Sequence, residues 1–237
     1  MYLIDTLLDL VYPRSCAGCG APITDIAGHI CWDCIAGLRV ITKPFCDICG
    51  DPVDGMVEHR YVCAWCAEQK PHFDRARSAV RYRGAAKAAV HAFKYGKTLC
   101  LAPDLVNLLT ACVKTQYADA RFDAVTFVPL YPKRERERSY NQANILARRL
   151  AVALGLSFVP NGLSRTRQTP SQTDLSASAR RKNVHNAFEV PDKGWIKGRS
   201  LLLVDDVMTT GATVDECARI LKKSGAAHVF VATVARG

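Results

Sequence analysis

Two hydrophobic periods alternate along residues 71–237. Leu201–Val204, Val229–Val234 and Phe122–Leu130 are apolar runs of the length expected for strands of a buried parallel sheet, and Arg77–Tyr82 fits an edge strand. Between them, apolar residues recur at helical spacing in Ala85–Phe93, Leu101–Tyr117, Asn141–Leu154 and Val214–Lys223. Strands in alternation with helices predict an α/β fold, a parallel sheet flanked by helices. Two polar stretches interrupt the pattern, Tyr131–Ser139 and Ser164–Asn186, and both are read as loops. Connections of that length inside a compact domain are lids or disordered segments. For the first, a salt-bridged helix face competes, because Glu135 and Glu137 alternate with arginines. Met1–Val11 places Leu3, Leu7 and Leu10 at helical spacing, which predicts packing against a neighbour rather than a bilayer.

In residues 1–70 the informative pattern is cysteine spacing. Cys16, Cys19, Cys31, Cys34, Cys46, Cys49, Cys63 and Cys66 form four Cys-x-x-Cys knuckles, separated by eleven, eleven and thirteen residues. Eight thiolates suit two tetrahedral zinc ions, and the reduced interior expected of a chain without a secretory signal argues against disulfides. The segment is also duplicated: Cys16-Ala-Gly-Cys19-Gly20-Ala-Pro22 returns as Cys46-Asp-Ile-Cys49-Gly50-Asp-Pro52, and each copy closes on a second knuckle with a tryptophan, Trp32 or Trp65. A duplicated unit carries its own ligands. Cys16, Cys19, Cys31 and Cys34 are therefore assigned to one zinc, and Cys46, Cys49, Cys63 and Cys66 to the other, against an interleaved arrangement. Four cysteines leave no open coordination position, so both metals are expected to be structural. Cys100, Cys112 and Cys217 stand singly in helix-like stretches and are read as buried core thiols.

Composition narrows the setting. The chain has 237 residues, 49% of them hydrophobic, enough for one ordinary domain and a small one. Its longest apolar stretches are too short for a membrane span, and Met1–Val11 carries Asp5 and Asp9 without a basic lead, so a cytoplasmic protein is expected. The net charge of +10 is unevenly shared: residues 1–70 hold five Lys/Arg against nine Asp/Glu, leaving +14 on residues 71–237. A basic field of that kind attracts nucleic acid or pyrophosphorylated sugars, whereas the acidic front is a poor phosphate clamp and suits scaffold or protein contacts.

The chemistry concentrates in Leu201–Thr213, where an apolar strand, two carboxylates and a hydroxyl-rich glycine loop follow one another before a helix. Backbone N–H groups of Thr209, Thr210, Gly211, Ala212 and Thr213 would converge with the helix dipole on an anion, and Gly211 would permit close approach. Asp205 and Asp206, read as lying where the strand ends, can accept hydrogen bonds from a cis-diol at the crevice edge. A ribose 5-phosphate supplies both groups. Four apolar residues before Asp-Asp also suggest a Walker B strand, with Gly96-Lys97-Thr98 closing a Walker A loop, but the glycine needed five residues earlier is His91, and Phe93 and Tyr95 would obstruct the cradle.

Asp205, Asp206, Val207, Met208, Thr209, Thr210, Gly211, Ala212 and Thr213 resemble the PRPP loop of type I phosphoribosyltransferases. By that resemblance the acids hold the ribose hydroxyls, the threonine-glycine turn holds the 5-phosphate, and Mg2+ accompanies PRPP through substrate phosphates and waters. The order of a first loop, a lid and then the PRPP loop is similar as well. It implies a pyrophosphate role for Arg134, Arg136 or Arg138, with Arg165 and Arg181 in the lid. Together with the duplicated knuckles, the Arg-rich turn into Tyr140-Asn141-Gln142, and Gln168, Gln172 and Asn183, these motifs resemble the ComF competence proteins over nearly the whole chain. The resemblance implies a type I phosphoribosyltransferase-like domain over 71–237 behind a double zinc ribbon over 1–70, and a role in DNA uptake or use of external DNA. It also implies that Ser139 stands where family members commonly have glycine. Purine-salvage relatives carry an acid at the position of Thr209, and no hood is expected after the Val229–Val234 strand, so recognition of an acceptor base must come from elsewhere or be missing. The competing expectation is a non-catalytic adaptor that holds single-stranded DNA on its basic loops and recruits DNA-uptake or recombination proteins through its ribbons.

Overall fold

The computed structural model describes residues 14–23, 28–55, 57, 59–168 and 177–237. The Leu3/Leu7/Leu10 segment, Gln172 and Asp174 lie outside the described residues. The ribbon contributes short helices α1 (Trp32–Ala36) and α2 (Ala64–Gln69), each opening inside a second knuckle. A five-stranded sheet follows in the order β1-β7-β6-β2-β3. It is formed by β1 (Arg75–Arg81), β2 (Ala124–Phe127), β3 (Ser157–Phe158), β6 (Ser200–Met208) and β7 (His228–Arg236), and every neighbouring pair is parallel.

The pleat of β6 sorts the core. Leu202 and Val204 pack with residues of α3 (Gly84–Tyr95), α4 (Ala102–Gln116) and α6 (Gln142–Leu154), among them Val90, Phe93, Leu105 and Leu146. Leu201 and Leu203 face the opposite layer, with Cys217, Ala218 and Leu221 of α8 (Ala212–Lys223). These four β6 side chains are fully buried, and each contributes roughly 2 kcal/mol of apolar burial. The sheet is thereby covered on both faces, as a parallel sheet requires.

The ribbon is docked onto this body in three places. Cys16, Ile23 and Ile30 join the core of α3 and α4, and Asp104 of α4 accepts the His29 N–H at 3.1 Å. Residues 39–41 cover the outer edge of β1, through a Val40–Val80 bridge, Ile41 N–H to Ala79 O at 3.0 Å and Arg81 N–H to Arg39 O at 2.8 Å. That contact occupies an edge that would otherwise template pairing with another chain. The second copy lies against the other layer: Ala76 N–H donates to Ile48 O at 2.7 Å, and the buried Arg77 guanidinium stacks 4.5 Å from the Phe45 ring centroid. Gly50 sits at φ +68°, where a Cβ would lie 2.6 Å from Ala76 O. A side chain at that point would lift the copy off β1.

Four expectations are corrected. Tyr131–Ser139 is not a loop but carries α5 (Pro132–Arg138): Pro132 presets the first turn, the Glu/Arg run favours helix, and Ser139 at φ +71° ends it. Ser164–Asn186 is not an unbroken loop: it opens on β4 (Ser164–Arg165) and carries α7 (Ala177–Val184), and β4 pairs antiparallel with β5 (Phe188–Glu189), just beyond the segment. Strand β6 continues past the acids to Met208, because β7 stays in register beside it as far as Arg236. Cys100 is exposed, lying in a 3-10 turn (Leu99–Leu101) that turns only Leu101 inward, whereas Cys112 and Cys217 are buried.

Candidate functional site

The C-terminal end of β6 passes directly into the N-terminus of α8. Gly211 caps the helix at φ +77°, and a Cβ there would lie 2.8 Å from Met208 Cε, so both conformation and space call for glycine. Asp205 and residues 207–214 line a cup of ≈ 40 Å³, open toward solvent. That is room for about three waters or one tetrahedral oxyanion. Thr209 is exposed and Thr210 half-buried at its rim, and the Thr210 hydroxyl accepts the Ala212 N–H at 3.4 Å. The first turn of α8 supplies the positive end of the helix dipole.

Within a strand, consecutive side chains leave on opposite faces. Here each acid curls forward along the chain: Asp205 Oδ1 accepts the Asp206 N–H at 2.9 Å, and Asp206 Oδ1 accepts the Val207 N–H at 2.7 Å. The two carboxylates thereby approach one another beside the cup. Burial and the adjacent Asp206 carboxylate push the Asp205 carboxyl up to about 8, against the pull of Lys94. Lys94, in the last turn of α3, places Nζ 2.9 Å from Asp206 Oδ2. Burial disfavours its ammonium, but Asp206 and Asp205 outweigh that and raise its pKa.

The sequence alone does not single out Lys94, because a lysine near a helix C-terminus reads as a dipole partner. The available signal was its face: it follows Val90 by four residues, on the side that Ala86, Ala89, Val90 and Phe93 bury. What holds it there is the Tyr140-Asn141-Gln142 triplet. The Tyr140 hydroxyl donates to Phe93 O, and Gln142 Nε2 donates to Lys94 O at 3.2 Å. Asn141 caps α6 by accepting the Ala143 N–H at 2.9 Å and donates to Val128 O at 3.1 Å. The triplet thus ties the end of α3 to the exit of β2 and the start of α6.

The arginines divide. Arg138 stacks 4.8 Å from the Tyr95 ring centroid and donates to Gln142 Oε1 at 3.3 Å, so it belongs to this clamp. Arg134 precedes it by one helical turn and is half-buried on the same face, while Arg136 is exposed and points elsewhere. Arg134 and Arg138 thus share one face of α5, and Arg136 lies off it. Arg165 lies 5.2 Å from the Phe188 ring centroid, and burial lowers its guanidinium pKa. Arg181 is half-buried on α7. Arg167 donates to Asn183 O at 2.9 Å and His185 O at 2.8 Å, closing the C-terminus of α7.

Two further sites are built from cysteine. The sulfurs of Cys16, Cys19, Cys31 and Cys34 lie within 4.8 Å of one another, as do those of Cys46, Cys49, Cys63 and Cys66. Cys19–Cys31 and Cys49–Cys63 are each 3.7 Å apart. That matches the edge of a tetrahedron with Zn–S bonds of about 2.3 Å. Burial opposes the Cys16 thiolate, but N–H groups of Cys31, Cys19 and Gly18 bring its pKa to about 6. Cys49 and backbone N–H groups lower Cys46 to about 4 despite burial. Each tetrad fits one zinc ion with all four positions filled by protein.

Comparison with known proteins agrees with both halves. Residues 7–70 match the family model for a double zinc ribbon domain, and residues 137–237 match that for a phosphoribosyl transferase domain. Among the described residues no helix is long and apolar enough to cross a membrane. An adenine phosphoribosyltransferase crystal structure overlays on 59% of this chain and 73% of its own, at 17% identity and a TM-score of 0.38. The DNA utilization protein YhgH of Escherichia coli O157:H7 is 33% identical over 230 residues, 94% of this chain and 96% of that protein. Competence protein F of Haemophilus influenzae is 29% identical over 93% of this chain and 96% of its own length. Competence protein ComFC of Bacillus subtilis is 26% identical over 87% and 84%. With relatives aligned nearly end to end across ribbon and sheet alike, the chain belongs to the ComF family.

Proposed function

We propose that this protein binds PRPP at the junction of β6 and α8 and that it serves DNA uptake or the use of external DNA, as the names of its relatives describe those proteins. The observation that carries this reading is the cup at the α8 N-terminus with Asp205 and Asp206 turned toward one another beside it. The cup suits a 5-phosphate and the acids a cis-diol, and a ribose 5-phosphate carries both groups. Lys94 keeps the acid pair from carrying its full charge unopposed. Mg2+ bound with PRPP would neutralise pyrophosphate and favour its departure. In a transfer reaction the acceptor would form a bond to ribose C1 as the C1–pyrophosphate bond breaks, with the acceptor's proton passing to a base. The PRPP loop offers none, since Thr209 occupies the acid's place. Ligand binding, rather than a defined transfer, is therefore the function proposed.

Calorimetric titration of the zinc-loaded chain with PRPP and Mg2+ tests it. Saturable 1:1 binding is expected, lost when Asp205→Asn and Asp206→Asn are combined; binding of unchanged affinity in the double variant would move ribose recognition elsewhere. A second reading rests on the +14 of residues 71–237: single-stranded DNA held on the basic surface, with the ribbon as a partner-recruiting module.

A further inference from the structure

The two ribbon copies are built alike but used differently. Their second knuckles read Cys31-Trp32-Asp33-Cys34 and Cys63-Ala64-Trp65-Cys66, so relative to the metal ligands the tryptophan sits one residue later in the second copy. Both knuckles open a short helix, α1 and α2. One residue of helix rotates a side chain by about 100°. Trp32 accordingly faces solvent, 66% exposed. Trp65 faces inward, with its indole N–H buried and no hydrogen-bond partner for it among the described residues.

What Trp65 packs against is the phosphate loop. A Cβ on Gly211 would lie 3.8 Å from Trp65 Cη2, and Trp65 shares a core with Met208, Ala212 and Val214. Cys46, Cys49 and Cys66 belong to that same core, whereas Cys16 of the first tetrad is buried in the layer formed by α3 and α4. Two polar links reinforce the contact. Arg236, at the end of β7, donates from Nε to Asp51 Oδ1 at 3.0 Å and places Nη2 3.9 Å from Cys49 Sγ. His72, just after α2, donates its N–H to Asp215 Oδ1 of α8 at 2.6 Å. The loop therefore rests on the second knuckle, with Met208 and Trp65 behind Gly211.

We infer that Trp65 is a positioning residue for the phosphate loop, so that anion binding there depends on the second zinc tetrad and not on the first. The inference rests on the proposed PRPP site and adds the reason a zinc ribbon is joined to it. A loop that presents backbone N–H groups to a phosphate has no side chain with which to correct its own position, so what packs behind it sets its geometry.

The test uses the full zinc-loaded chain, titrated with Mg2+ and PRPP by calorimetry, with zinc content measured for each variant. Trp65→Ala retains two zinc ions, because no ligand is removed, and weakens PRPP binding at least about tenfold through loss of loop position. Trp65→Phe restores most of the affinity, and Trp32→Ala leaves it unchanged. With Trp32→Phe and Trp195→Phe, Trp65 is the sole tryptophan, and its emission changes on PRPP addition with the calorimetric midpoint. Trp65→Ala that keeps two zinc ions and binds PRPP as tightly as the parent would overturn the inference, as would equal losses from Trp32→Ala and Trp65→Ala. Should Trp65→Ala lose zinc, the fluorescence titration decides: no emission change on binding overturns it. A parent chain that binds no PRPP would instead overturn the site itself, and this inference with it.

Discussion

Asp205 and Lys94 share one enclosed space, and both hold their protons more tightly in the folded chain than in the unfolded one, so their linkage to pH has the same sign. The Asp205 carboxyl holds its proton more tightly folded, near 8, than unfolded, near 3.8. Stability is therefore lost as pH rises between those values. Asp205→Asn should flatten that slope in urea unfolding at pH 5 and pH 8, with its largest stabilising effect at pH 8. Lys94→Met should act in the other direction, costing roughly 3 kcal/mol, since it leaves the Asp206 charge buried without its cation. Ser139 offers a simpler case. It holds φ +71° without being glycine, and Ser139→Gly should raise unfolding free energy by about 1 kcal/mol by relieving the left-handed conformation. The acids, the glycine and the eight cysteines were legible in the sequence because their chemistry is written within a few residues. Lys94 was not, because it becomes a partner of Asp206 only once α3 docks beside β6, more than a hundred residues away in the chain.

At the scale of elements, what stayed illegible were boundaries and the state of charged segments. Alternating Glu and Arg in residues 132–138 satisfy a lid loop and a helix equally, and the decision was made by Pro132 at the first turn and the stop at Ser139. Strand β6 outran its apolar run because pairing with β7 fixes its length, and that information lies in another part of the chain. The ribbon shows the reverse: the duplicated motif groups the ligands as the structure does, since each knuckle is local and each copy is complete. Two zinc ions per chain are expected by elemental analysis of reduced protein. The copies should differ in consequence, however. Cys49 is buried beside Arg236 and shares the α8 core, whereas Cys19 is exposed. Cys49→Ser should lower the melting temperature of the whole chain by several degrees more than Cys19→Ser, because the folding energy of its metal site also supports β7 and α8.

Across the whole molecule, the ribbon and the sheet divide charge and labour. Residues 1–70 are acidic before any thiolate is counted, and residues 71–237 hold the +14. Nucleic-acid affinity should accordingly reside in the second part and fall steeply with salt through counterion release, with Arg134→Gln and Arg136→Gln together reducing the slope of the salt titration by one to two. Equal DNA binding by a ribbon-only fragment would contradict that division. The central claim remains that the crevice at the C-terminal end of β6 is where a phosphosugar binds, the place at which open α/β sheets hold their ligands. Amide hydrogen exchange, followed by mass spectrometry with and without Mg2+ and PRPP, locates the ligand on the chain directly. Protection centred on residues 205–214 is the predicted result; PRPP that leaves those residues unprotected while slowing exchange in another segment would contradict the account.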